Sequence, residues 1–136
     1  MQKRSSRSLG QQGEELAAKY LEQKGYRILE RNYATAFGEI DLIASYGLPD
    51  EPFRLVFVEV KMRRNRQYGY PEESVTKRKL THLIHAIQGY LQEKSNDDID
   101  WQIDVISVEL GSNNCERQII HLENVTAPLN FVGDDG

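Results

Sequence analysis

Residues 54–61 read R-L-V-F-V-E-V-K, and residues 38–45 read G-E-I-D-L-I-A-S. The first stretch is the richest in β-branched and aromatic residues and is a strand by that content. Glu59 and Lys61 fall on one of its faces, because strand side chains alternate with period two. Val58 and Val60 fall on the other. The second stretch reads as a strand with Ile40, Leu42 and Ala44 on one face and Glu39 and Asp41 on the opposite one. Gly47 to Pro52, with one glycine, two prolines and two acids, is a turn that joins the two strands.

Working outward, Gly10–Lys24 has Leu16, Ala17, Tyr20 and Leu21 at helical spacing and stops at Gly25. Tyr26–Tyr33 is a short strand. Met62–Ser74 is a loop rich in Arg, Tyr and Gly. Thr76 is an N-cap for a helix over Lys77–Lys94, with Leu80, Leu83, Ile84, Ile87 and Leu91 as its buried stripe. Trp101–Leu110 alternates as a strand, with Ile103, Val105 and Ser107 on one side, and Cys115–Leu122 is an edge strand. The order α-β-β-β-α-β-β predicts an α/β or α+β single domain, a mixed sheet flanked by helices. Residues 1–9 are expected to form a flexible basic N-terminus, 10–124 the domain, and 125–136 a frayed tail.

The bulk properties are consistent with that reading. A chain of 136 residues has room for one domain. With 39% hydrophobic and 28% charged residues it is globular and not disordered. No apolar run approaches the roughly 18 residues of a membrane helix. Met1–Ser8 is basic but leads into no apolar stretch, so no secretory signal is expected. The single cysteine, Cys115, excludes an internal disulfide and a Cys-rich zinc site and fits a reducing, cytoplasmic setting. No glycine-rich phosphate loop is present, which disfavours NTP hydrolysis and dinucleotide binding.

Net charge is −4, yet its distribution is uneven. Lys61, Arg63, Arg64, Arg66, Lys77, Arg78 and Lys79 cluster over 61–79, opposed only by Glu72 and Glu73. A basic segment in an acidic chain marks a local phosphate-binding face. Charge alone is equally compatible with an ordinary solvated surface. Tyr68 and Tyr70 add stacking surface beside the arginines.

Glu59 lies in an apolar run, where a carboxylate costs several kcal/mol unless paired or metal-bound. If the two strands are neighbours, Asp41, Glu59 and Lys61 converge. Two carboxylates suit a hard cation such as Mg²⁺ or Mn²⁺, which keeps its waters for a phosphate. The lysine then stabilises charge developing on the attacking water or the phosphate. Glu14, beside the buried stripe of the first helix, is a third acid within reach. The competing reading is a Glu59–Lys61 surface pair, with Asp41 capping a turn and Glu14 a first-turn acid. His82 and His85, three apart on a helix, lack a third ligand nearby in sequence and read as solvent-facing. Ser107, Cys115 and His121 form no nucleophile-base pattern.

Taken together, G-x-x-G-E-x-x-A-x-x-Y-L, G-Y-x-I-L-x-R-N, G-E-I-D-L-I-A, V-F-V-E-V-K-x-R, G-x-P-x-x-S-V-T-x-x-K and D-V-I-S-V run in order from about Gly10 to Val108. This series resembles the bacterial YraN-like family, which is similar to the PD-(D/E)xK nucleases and in layout to archaeal Holliday junction resolvases. The resemblance implies a restriction-endonuclease-like core, with Glu14 as the helical acid, Asp41 as the motif acid, Glu59 as the second metal ligand and Lys61 as the motif lysine. Glu39 and Lys79 match recurrent positions of that family. Ile40 stands where the superfamily pattern has proline.

The resemblance further implies a Mg²⁺- or Mn²⁺-dependent endonuclease on DNA, with branched or recombination intermediates as its substrates. Arg63, Arg64, Arg66, Lys77, Arg78 and Lys79 would hold the strand, DNA in preference to RNA. Paired cuts in a four-way junction imply a homodimer by analogy. The alternatives are a non-catalytic nucleic-acid-binding module and a protein-interaction domain working through the acidic C-terminal half.

Overall fold

The structure is a computed structural model that describes residues 9–47, 54–63, 76–94, 99–110 and 117–125. Helix α1 spans Leu9–Gln23, strands β1, β2 and β3 span Arg27–Thr35, Gly38–Tyr46 and Arg54–Arg63, helix α2 spans Lys77–Glu93, and strands β4 and β5 span Trp101–Leu110 and Arg117–Leu122. Among the described residues the strands form one sheet in the order β1-β2-β3-β4-β5. The pairs β1/β2, β2/β3 and β4/β5 are antiparallel, and β3/β4 is parallel across the α2 crossover. The mixed α/β single-domain architecture expected from the sequence is therefore present. The termini, the arginine and tyrosine positions 64–75, and Cys115 lie outside the described residues.

Local signals set the helix ends. Gly25 has φ +99, the left-handed geometry glycine adopts without strain. Tyr26 N–H reaches Leu21 O at 3.0 Å and Gly25 N–H reaches Glu22 O at 3.1 Å, a Schellman closure of α1. Thr76 caps α2, its hydroxyl accepting from Lys79 N–H at 3.1 Å.

The sheet separates two apolar layers. Ala17, Ala18 and Leu21 of α1 pack on Leu42, Ala44, Val56, Val58, Ile106 and Val108. Leu80, Ala86, Ile87, Tyr90 and Leu91 of α2 pack on Ile40, Ile43, Leu55, Phe57 and Ile103. Central strands covered on both faces read as nearly continuous apolar runs. That is why β3 and β4 bury consecutive residues, Leu55–Val58 and Ile103–Glu109.

Two expectations are corrected here. Ile40 does not share a face with Leu42 and Ala44, because it belongs to the α2 layer while they belong to the α1 layer. The strand turns over between Ile40 and Leu42, opposite Asn32 of β1, which has φ +50. Residues 62–63, read as loop, extend β3, and parallel pairing with β4 continues to Arg63↔Glu109.

The edge strand β5 is fixed by a buried polar network that periodicity did not reveal. Asp104, fully buried, accepts from Gln102 Nε2 at 2.8 Å and from Asn124 N–H at 2.9 Å on one oxygen. Its other oxygen is 2.6 Å from His121 Nε2, and His121 Nδ1 is 3.1 Å from Tyr20 OH on α1. Burial, then the Asp104 charge, pushes the neighbouring Tyr26 hydroxyl up to about 12. Removing one partner of a buried pair strands the other. His121→Leu should therefore lower unfolding free energy by about 3 kcal/mol in urea titration. The double variant Asp104→Leu/His121→Leu should recover part of that loss. A single-variant cost under about 0.5 kcal/mol, the level of an ordinary surface substitution, would contradict this account.

Candidate functional site

The site forms where β2 and β3 part. Their ladder runs from Tyr46↔Arg54 to Leu42↔Val58 and stops. β1/β2 pairing continues to Thr35↔Gly38, and β3 stays with β4. At the fork, Asp41 Oδ2 accepts from Val60 N–H at 2.9 Å, so a side chain stands in for the missing backbone rung. Asp41 therefore turns into the gap between strands, beside the residue that follows Glu59.

Glu59 lies on the α2 side of β3, by alternation with Leu55 and Phe57. Its Oε2 is 3.4 Å from Lys61 Nζ and 3.9 Å from Lys79 Nζ. Glu14 comes from the opposite helix. A Cβ at Gly13 would lie 3.0 Å from Met62 Cβ, so the absence of a side chain there lets α1 lie close against the end of β3. Glu14, the next residue, is half-buried. Glu39 is exposed on the outer part of β2.

Electrostatics tie these groups together. Asp41 is pushed up to about 7, first by burial and then by the like charges of Glu59, Glu14 and Glu39, against the opposing hydrogen bond from Val60. Burial works against a charge on Lys61, but its hydrogen bond with Lys79 and the carboxylates of Glu59 and Asp41 outweigh burial and raise its pKa. Lys79 moves the other way, lowered by its hydrogen bond to Lys61 and by burial. Four acids thus bear on one point, with two amines as partial compensation.

Such a point favours a cation. Among the described residues no three His, Cys, Asp or Glu side chains gather as a complete metal cage. A pair of hard oxygen donors, Asp41 and Glu59, could serve a cation there, with Glu14 on the facing helix α1. Mg²⁺ is typically held by one or two carboxylates and retains its waters, so these residues fit it.

The remaining candidates are distributed as follows. Arg63 ends β3, while Lys77, Arg78 and Lys79 form the exposed first turn of α2. Arg64 and Arg66 lie outside the described residues. His82 and His85 are exposed, and His85 sets its ring 5.3 Å from that of Phe37. Sequence reasoning missed Phe37, which with His82, read there only as solvent-facing, lines a cleft of about 250 Å³ together with Gly38, Glu39, Glu59, Lys79, Leu83 and Ala86. A phenylalanine beside the glycine of a two-residue hairpin turn was the signal available for it.

The pattern of the uncharacterised protein family UPF0102 matches residues 13–108, from Gly13 at the α1–β3 contact to Val108 of β4. The chain belongs to that family. Relatives carrying the family name include one from Syntrophomonas wolfei, 46% identical over 76% of this chain and 85% of its own length. Another, from Syntrophus aciditrophicus, is 43% identical over 82% of this chain and 84% of its own. A third, from Alkaliphilus metalliredigens, is 40% identical over 88% of this chain and 97% of its own. The matched span contains Glu14, Asp41, Glu59, Lys61 and Lys79, so the whole carboxylate cluster lies within the UPF0102 region.

The raised Asp41 has a consequence for stability. A carboxyl whose folded pKa lies above its unfolded value of 3.8 binds its proton more tightly when folded. That contribution is fully present below about pH 4 and is lost as pH rises through about 7. In chelator-free, metal-free buffer the thermal midpoint should fall between pH 5 and pH 8, by several degrees (roughly 1–2 kcal/mol at a few degrees each). Asp41→Asn should flatten the decline and be the more stable protein at pH 8. Parallel pH profiles for the two proteins would refute this.

Proposed function

We propose that the chain is a divalent-metal-dependent endonuclease acting on the phosphodiester backbone of DNA, with branched or recombination intermediates as its substrate class. The observation that carries this reading is Asp41 bonded into the β2/β3 fork at Val60, the residue after Glu59, with Lys61 3.4 Å from the Glu59 carboxylate. Support also comes from the motif series G-E-I-D-L-I and F-V-E-V-K, which resembles the PD-(D/E)xK nucleases.

A bound Mg²⁺ or Mn²⁺ supplies charge neutralisation at the phosphate and a more acidic water. Asp41 and Glu59 would hold that ion, with Glu14 as a further acid. The Val60 N–H fixes the Asp41 carboxylate. Lys61 orients the attacking water and offsets charge on the phosphorane-like transition state. Water adds to phosphorus as the bond to O3′ breaks, leaving a 5′ phosphate and a 3′ hydroxyl. Lys79 and the neighbouring Lys77 and Arg78 hold the backbone without reading bases.

One observation favours a second reading, a nucleic-acid-binding module without catalysis: Glu59 already has two ammonium groups within 4 Å. The two are separated by incubating the protein with flap, four-way-junction and single-stranded DNA in Mn²⁺. The nuclease cleaves at least one of them, and Asp41→Asn, Glu59→Gln and Lys61→Ala each lower the rate by ~100-fold or more. Salt-sensitive binding with no cleavage, unchanged in Asp41→Asn, would establish the module instead.

A further inference from the structure

The cleft beside Glu59 is separate from the fork itself. One wall is the tip of the β1–β2 hairpin, Phe37 to Glu39, and the other is α2, through Lys79, His82, Leu83 and Ala86. Phe37 is 56% exposed, the most exposed large apolar side chain among the described residues. Its position is nonetheless fixed. Thr35 Oγ1 accepts from Phe37 N–H at 3.0 Å and donates to Gly38 O at 2.9 Å, which locks the turn. Gly38, at φ +131, makes the bend that an L side chain would resist. The ring is then braced on His85, tilted 56° at 5.3 Å. A solvated aromatic ring held this firmly loses little entropy when something stacks on it.

The lining is specific in kind. Phe37, Leu83 and Ala86 supply apolar surface, His82 a polar edge, Lys79 a cation, and Glu39 and Glu59 two carboxylates. Its volume, about 250 Å³, is below the roughly 300–1,000 Å³ of sites for larger ligands, so one ring system fits. Glu59 belongs to both cleft and carboxylate cluster, so an occupant is contiguous with whatever sits at Asp41. A planar, polar-edged ring joined to a phosphate is a nucleotide. A base stacked inside a duplex cannot enter a cleft between a hairpin and a helix, so the base must be unpaired.

We propose that this cleft receives one unpaired nucleobase of a nucleic-acid strand, adjacent to the phosphate whose cation Asp41 and Glu59 would hold. The inference rests on the nuclease reading for the identity of that phosphate and adds the substrate class: strands with an unpaired nucleotide beside the cut. Stacking on Phe37 provides the energy and is indifferent to base identity, because every base has a π-face.

The test uses the full chain in Ca²⁺, an oxygen-ligated divalent ion, and a DNA hairpin bearing one unpaired terminal nucleotide, compared with the same hairpin carrying an abasic residue there. Wild type should bind the base-bearing hairpin about tenfold more tightly than the abasic one. Phe37→Ala should remove that preference, and Phe37→Trp should keep it. With 2-aminopurine at the unpaired position, fluorescence should be quenched on binding wild type and not on binding Phe37→Ala. Circular dichroism checks that the variants fold. Equal affinity for the two hairpins, or a preference undiminished in Phe37→Ala, would overturn the proposal. Cleavage in Mn²⁺ is scored separately. Base preference without cleavage would defeat the nuclease reading and uphold the cleft, while cleavage without base preference would do the reverse.

Discussion

A single hydrogen bond, Val60 N–H to Asp41 Oδ2 at 2.9 Å, marks the constraint on which the site depends. Two antiparallel strands that separate leave backbone groups without ladder partners, and a buried N–H left so is costly. Asp41 meets that demand with its side chain. The strands can then diverge without an orphaned amide at Val60. Divergence in turn opens β3 at Glu59 and Lys61, and frees the outer hairpin to roll over α2. The turnover of β2 between Ile40 and Leu42, and the left-handed Asn32 across from it, are the backbone's accommodation of that roll.

The same bond explains the electrostatic character of the site. A carboxylate drawn into a strand gap loses hydration, and Glu59, Glu14 and Glu39 surround it with like charge. One backbone N–H does not offset both effects. Lys61 and Lys79 supply the rest only in part: their shared hydrogen bond, with the carboxylates of Glu59 and Asp41, raises Lys61 against its burial, while that hydrogen bond and burial lower Lys79. Strongly perturbed ionisable groups concentrated at a cleft are a recognised mark of functional sites. The opposite side of the sheet contrasts with this. Asp104 is more deeply buried, yet it is met by Gln102, Asn124 and His121, and that network braces α1 against β5. Asp104 is thereby tied into the fold, whereas Asp41 is pushed up by burial and by the like charges around it.

Much of the architecture was legible from local pattern. Gly25 and Thr76 marked the helix boundaries through backbone conformation and capping, which depend on near neighbours. The apolar runs of β3 and β4 identified central strands, and the order of elements gave a mixed sheet. The legible part of the site was Glu59 and Lys61, since a carboxylate inside V-F-V-E-V-K is anomalous wherever the strand lies. Less legible was Asp41, whose strict alternation with Ile40 and Leu42 placed it on a face and not in a gap. Phe37 and the Asp104–His121–Tyr20 network were not legible, because each takes its meaning from a partner tens of residues away.

The sequence by itself determined the order of elements and singled out Glu59 and Lys61 as candidates, since composition, period and caps are properties of a chain and its near neighbours. It determined the UPF0102 membership for the same reason. Only the tertiary structure decided that β2 parts from β3 on the N-terminal side of Leu42, that Gly13 lets Glu14 approach from the α1 side of the sheet, and that Phe37 and Glu59 line one cleft. Those are outcomes of how two layers pack on one twisted sheet. The energies that settle them come from contacts between segments far apart in sequence, which local periodicity does not encode.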